Sequence, residues 1–280
     1  MNAHAFNLEK MIELIVPVIQ KMVVGNYAIA LGGSVAKGYS DVHSDLDFYV
    51  YAEGVIPLTE RKALLNGLAD PQSAIYLDET IDSTIWGGSV DFYCDGVKVE
   101  TSIKPLEKYE QSITESLEGR INVEPTFWTI SGYYHYICLS EVCFIRPIED
   151  PYGIIADWKK RAAVYPSKLK SAIWNSFWPK STFWLNNFHY ISAINRCDTV
   201  YAAGISQQTF HSVVQVLFAV NEVYFAGDKK IEKQLRSLPF CPEALLNELD
   251  FLLSAHRETA LLEKQRQLWL TITGEISAHK

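Results

Sequence analysis

No CxxC pair occurs in this sequence, and its five cysteines (Cys94, Cys138, Cys143, Cys197 and Cys241) are odd in number and scattered. That spacing supports neither a zinc ribbon nor a disulfide framework, so each is expected to be a small buried hydrophobe in a reducing compartment. No two histidines stand at zinc-ligand spacing, and His43, His189 and His211 read as packing or surface residues. Long apolar runs are missing too: none approaches the ~18 residues of a helical membrane span. Glu9 and Glu13 interrupt the apolar stretch between Met1 and Gln20, unlike a secretory leader. Basic runs stop at Lys159-Lys160-Arg161, and the net charge is −8. The basic face of a duplex-gripping protein is therefore not evident, whereas an acidic surface suits a cationic partner. These absences predict a cytoplasmic protein with no membrane and no nucleic-acid partner. Internal repeats and low-complexity linkers are absent as well.

What is present is a globular composition, 48% hydrophobic and 21% charged over 280 residues, a length that suits one large or two modest domains. Seven Trp, fifteen Tyr and thirteen Phe supply core volume and, equally, flat walls for rings and sugars.

Met11, Leu14, Ile15, Val18, Ile19 and Met22 recur at helical spacing, predicting an amphipathic first helix with a kink or break at Pro17. Tyr27–Leu31 is a short continuous apolar run, expected to be a buried strand. Gly32-Gly33-Ser34 breaks it, Val35–Gly38 suits a turn of helix, and Leu46–Tyr51 reads as a second strand. A helix is predicted over Leu58–Leu68. Ser89–Tyr93 and Val97–Ile103 form a predicted hairpin through Asp95-Gly96. Beyond Pro105 helices dominate: Leu106–Leu117, an aromatic stretch at Phe127–Leu139, and the chain after Pro151, with a short strand expected at Val142–Ile145. The outline is α+β, an α/β half ending near residue 104 and a mostly α-helical half after about 125, with domains expected at 1–120 and 121–280.

The informative segment is Gly32-Gly33-Ser34 followed by Ser44-Asp45-Leu46-Asp47-Phe48. Two Asp one residue apart on a strand point to the same face. Like charges that close repel, so an Asp-x-Asp in an apolar strand calls for a compensating cation. Hard oxygen ligands favour magnesium or manganese. Glycine lets a phosphate approach the backbone, and a hydroxyl with free amides binds its oxygens. Taken singly, Asp-x-Asp is usually solvated and Gly-Gly-Ser is usually a turn. Their order, with a third acid on a later strand, points to a metal–triphosphate site and in-line attack at phosphorus.

Gly33-Ser34 and Asp45-Leu46-Asp47-Phe48, with Val97-Lys98-Val99-Glu100 downstream, resemble the signature of the DNA polymerase β-like nucleotidyltransferase superfamily. The third element is similar to that of kanamycin-type antibiotic nucleotidyltransferases, and the likeness covers roughly residues 27–104. The resemblance implies a polymerase β-like N-terminal domain in which Asp45, Asp47 and Glu100 bind Mg2+ or Mn2+. It implies transfer of a nucleoside monophosphate from an NTP, with ATP expected as donor. Asp91, in Val90-Asp91-Phe92-Tyr93, rivals Glu100 as third acid; it also reads as an aid to the metal or an acceptor amine, or as a surface strand carboxylate. Gly33, Ser34, Lys37, Ser44, Lys229 and Lys230 are expected at the nucleotide.

In the superfamily that these motifs resemble, the acceptor is set by the second domain. A small hydroxylated molecule is expected, of the aminoglycoside or lincosamide antibiotic kind, since acidic pockets select polycations. Trp174, Phe177, Trp178, Phe183, Trp184 and Tyr190 read either as stacking surfaces or as helix-packing core. Glu141, Glu149 and Asp150 are candidate bases, the latter two equally an acidic turn before Pro151. Asn221 with Gly227-Asp228-Lys229 reads either as part of a phosphate site or as a cap and a solvated lysine pair. Rival readings are AMP transfer onto a protein, as in antitoxin-type relatives, and a catalytically silent nucleotide-binding module. Monomer and homodimer both stay open.

Overall fold

A computed structural model of the protein describes residues 6–38, 44–71, 73–127 and 129–280, so His43 lies outside the described residues. In chain order the elements are α1 (Leu8–Met22), β1 (Val23–Leu31), α2 (Gly33–Ala36), β2 (Leu46–Val55), α3 (Leu58–Asn66), β3 (Tyr76–Leu77), β4 (Gly88–Cys94), β5 (Val97–Pro105) and α4 (Leu106–Leu117). There follow β6 (Val123–Glu124), β7 (Tyr133–Tyr134), α5 (Ile137–Phe144), β8 (Arg146–Glu149), α6 (Ile154–Ala162), α7 (Ser167–Thr182), α8 (Phe188–Asn195) and α9 (Thr199–Val220). The last are α10 (Ile231–Arg236), α11 (Glu243–Asn247), α12 (Leu249–Leu253) and α13 (Thr259–His279). The architecture is α+β: a mixed six-stranded sheet with flanking helices, then a mostly helical region. By contacts the chain divides into two units, Met1–Thr114 with Cys138–Val164, and Glu115–Ile137 with Tyr165–Lys280.

In the first unit the sheet order is β3-β4-β5-β2-β1-β8. β2 pairs antiparallel with β1 and parallel with β5, and β4 pairs antiparallel with β5. The β4–β5 connection uses Asp95 (φ 49°) and Gly96 (φ 74°), both left-handed, as the tight hairpin turn predicted from Asp-Gly requires. Strand alternation gives the sheet two unlike faces. Leu46, Phe48 and Val50 of β2, Val99 and Ile103 of β5 and Val90 and Phe92 of β4 are buried in one core cluster with Met11, Ile15, Ile19 and Met22 of α1. Each such side chain contributes about 1.5–3 kcal/mol on burial. Asn7 caps α1 by accepting from the Lys10 amide at 3.2 Å, and the helix runs through Pro17 without a break.

Two local expectations shift. The aromatic stretch Phe127–Leu139 is not one helix: Tyr133–Tyr134 pairs with Val123–Glu124, and the helix begins at Ile137. Where a strand is expected at Val142–Ile145, residues 142–144 instead end α5, and the pairing strand is Arg146–Glu149 beside β1. In both places a short apolar run carries no period that separates strand from buried helix, so partner availability decided.

In the second unit α9 is buried along most of its length, from Ala202 and Ile205 to Val216, Leu217 and Ala219. Trp269 of α13 donates to Ser206 Oγ at 2.8 Å, and Ser206 donates to the Leu252 carbonyl at 2.6 Å, so these two buried donors are satisfied in series.

Candidate functional site

The second face of the sheet is polar, and register places its groups. Asp47 lies opposite Glu100 in the β2–β5 ladder, and Glu100 lies opposite Asp91 in the β5–β4 ladder. Residues opposite one another across a ladder share a face, so Asp47, Glu100 and Asp91 form a row across three strands. Asp45 and Lys98, each two residues earlier on its chain, fall in the neighbouring row. Lys98 Nζ is bonded to Glu100 Oε1 and lies 3.4 Å from Asp45 Oδ2. The side chains of Asp45, Lys98 and Glu100 are 38%, 39% and 40% exposed, so this end of the face is open to water.

The glycine turn is fastened to this row. The Gly32 amide donates to the Asp47 carbonyl at 2.9 Å. Gly33 has φ +54°, and a Cβ there would overlap Asp47 Oδ2; at Gly32 a Cβ would stand 2.5 Å from the Tyr49 ring. Glycine is thus required both by backbone conformation and by the carboxylate packed on it. Ser34 follows, half-buried, at the start of α2. Lys37 is exposed, with its ammonium 4.0 Å from the centroid of the Phe144 ring. Ser44 precedes Asp45 and is half-buried.

Burial and, second to it, the charge of Glu100 push the Asp91 carboxyl above the usual carboxylate range; an amide bond from Thr101 works the other way. The Glu100 bond raises the Lys98 ammonium, with the Glu100 and Asp45 charges adding to it. The Lys98 direction, and the smaller Glu100 contribution at Asp91, describe a patch rich in negative charge that favours a cation.

Further along the same face the surroundings close. Lys104 and Glu141 form an ion pair with side chains only 2% and 9% exposed. Glu141 Oε1 also accepts from Tyr51 at 2.8 Å and Tyr109 at 2.6 Å, and Trp158 packs on both phenols with centroids 4.8 and 5.1 Å away. Burial, then the Glu141 charge, pushes the Tyr51 phenol far above its ordinary value. One oxygen of Glu141 is therefore shared by three donors in a buried network.

Asp150 accepts from the amides of Ile154 and Ala156 at 2.7 and 3.0 Å and so caps α6, while Glu149 sits in edge strand β8 opposite Ile29. In the second unit Asn221 closes α9, receiving the Phe240 amide and donating to the Leu217 and Phe240 carbonyls, each at 2.8 Å. Lys229 and Lys230 are exposed just before α10, Lys230 with φ 57°. Of the aromatic group, Phe177 and Tyr190 are core, Trp174 stacks on Trp178 with centroids 4.6 Å apart, and Phe183 is 59% exposed.

The sequence reading gave Lys98 no role. The signal was there: its position two residues from Glu100 on a strand places it on the same face.

A dication's fit is judged by its donors. The row offers hard carboxylate oxygens, and an ammonium already bridges Asp45 and Glu100, marking where positive charge is favoured. As the side chains stand, no three His, Cys, Asp or Glu converge on one point among the described residues.

No family model matches the chain, and no curated protein matches it. Solved structures do match. Among them is the crystal structure of a nucleotidyltransferase-like protein from Exiguobacterium sibiricum 255-15, at 10% identity and a TM-score of 0.47, covering 96% of this chain and 74% of that one.

Proposed function

We propose that this protein is a metal-dependent nucleotidyltransferase that moves a nucleoside monophosphate from an NTP to a hydroxyl of a small molecule. One observation carries the reading: the Gly32-Gly33 turn packs directly on Asp47 in a row of carboxylates at the open end of the sheet's polar face. Asp45, Asp47 and Glu100 would hold Mg2+ or Mn2+, and the metal when bound supplies charge stabilisation at the transferring phosphoryl group. In the reaction the acceptor oxygen forms a bond to the α-phosphorus, the bond to the β-phosphate bridging oxygen breaks, and pyrophosphate leaves while the hydroxyl proton passes to solvent.

The chain's own residues do the positioning. Gly33 lets the triphosphate approach the backbone, Ser34 offers a hydroxyl to a phosphate oxygen, and Lys37 and Ser44 flank the turn and the acids. Register puts Glu100 directly opposite Asp47, with Asp91 one strand further out, which favours Glu100 as third acid. ATP is the proposed donor. An aminoglycoside or lincosamide antibiotic is the proposed acceptor class, supported by the acidic net charge of −8.

The test is pyrophosphate release from magnesium-ATP against a panel of aminoglycosides and lincosamides. Asp47→Asn should lower acceptor-dependent release by about 10²–10³-fold, as for loss of one preorganised electrostatic group, with the fold intact. Full activity in that variant would sink the assignment. Glu100→Gln should weaken release more than Asp91→Asn; the reverse order makes Asp91 the third acid.

A further inference from the structure

We infer that Lys98 is a built-in counter-cation of this site, holding the place between Asp45 and Glu100 that a divalent metal must take from it. The inference rests on the proposed metal-binding role of these carboxylates and extends it to how the site behaves before metal arrives.

Three observations carry it. One ammonium touches acids of two neighbouring segments: bonded to Glu100 on β5 and 3.4 Å from Asp45 just before β2. It therefore offsets part of the negative charge between Asp45 and Glu100. A dication in the same place would repel it, so the two occupants exclude one another.

All three side chains are also more than a third exposed. Solvent screens such pairs, so an exposed ion pair is weak. The ammonium can leave at small expense, its flexible four-carbon stem carrying it into water. The buried pair that Lys104 of the same strand makes with Glu141 of α5 has no such freedom.

Finally, Lys98 shares Glu100's face through strand alternation, with Asp45 and Asp47 along the adjoining strand. Without a cation this row would hold mutually repelling carboxylates, and Lys98 relieves part of that repulsion before metal binds.

The measurement is Mn2+ affinity of the full chain without nucleotide, read as free Mn2+ by electron paramagnetic resonance, in wild type, Lys98→Met, Lys98→Arg and Asp47→Asn. Lys98→Met should bind Mn2+ on the order of threefold to fivefold more tightly than wild type, matching removal of a competitor worth up to about 1 kcal/mol. Lys98→Arg, which keeps the charge, should stay near wild type. General damage to the site lowers affinity, so a gain cannot come from misfolding. Equal or weaker binding in Lys98→Met, with wild-type binding abolished by Asp47→Asn, overturns the role of Lys98 and leaves the metal site standing. Absence of any Asp47-dependent binding in wild type and Lys98→Met alike removes both.

Discussion

Lys98 and Lys104 lie on the same face of β5, and each is ion-paired with a glutamate, yet the two pairs live in different media. Lys98–Glu100 is about 40% exposed and shares its ammonium with Asp45. Lys104–Glu141 is almost fully buried under Tyr51, Tyr109 and Trp158. Identical chemistry thus yields an exchangeable cation at one end of a strand and a fixed structural pair at the other. The difference is solvent: a screened pair is weak and replaceable, whereas a desolvated charge tolerates no loss of its partner. A single strand thereby anchors a rigid platform and presents an adaptable edge from it.

The comparison breaks most visibly at Glu141. Glu141→Ala strips the acceptor from Lys104, Tyr51 and Tyr109 together. Urea unfolding should show a loss of about 3–5 kcal/mol, the range for breaking a buried ion pair; a loss below about 1 kcal/mol would mean the pair is already hydrated.

Gly33→Ala comes next. It sets a Cβ into the Asp47 carboxylate on a left-handed backbone, so it should cost about 1–2 kcal/mol of stability. Displacing Asp47 should also lower transfer by roughly 10²-fold. Stability loss with transfer unchanged would separate the turn from the chemistry.

Smallest is Lys98→Met, which should change unfolding free energy by less than about 1 kcal/mol. A loss as large as that of Glu141→Ala would erase the distinction between the two ends of β5.

Much of the platform was legible beforehand. The Asp95-Gly96 hairpin, the apolar run of β1, the α1 stripe and the alternation that turns Glu100 away from Val99 follow from local periods and turn chemistry. Less legible were Tyr133–Tyr134 and Arg146–Glu149, where short segments pair only because partner strands lie beside them. Glu141 read equally well as a base, because nothing in Leu139-Ser140-Glu141-Val142 announces that Lys104 and two phenols will converge on it.

By itself the sequence determined which residues share a face: Asp45 with Asp47, Lys98 with Glu100, core residues opposite them, because side-chain period is a local property of the backbone. Only the tertiary structure decided that Asp47, Glu100 and Asp91 stand abreast, that Gly33 rests on Asp47, and that one end of the polar face is wet and the other dry. Strand order and burial depend on contacts between distant segments, and exposure in turn sets what each charge can do.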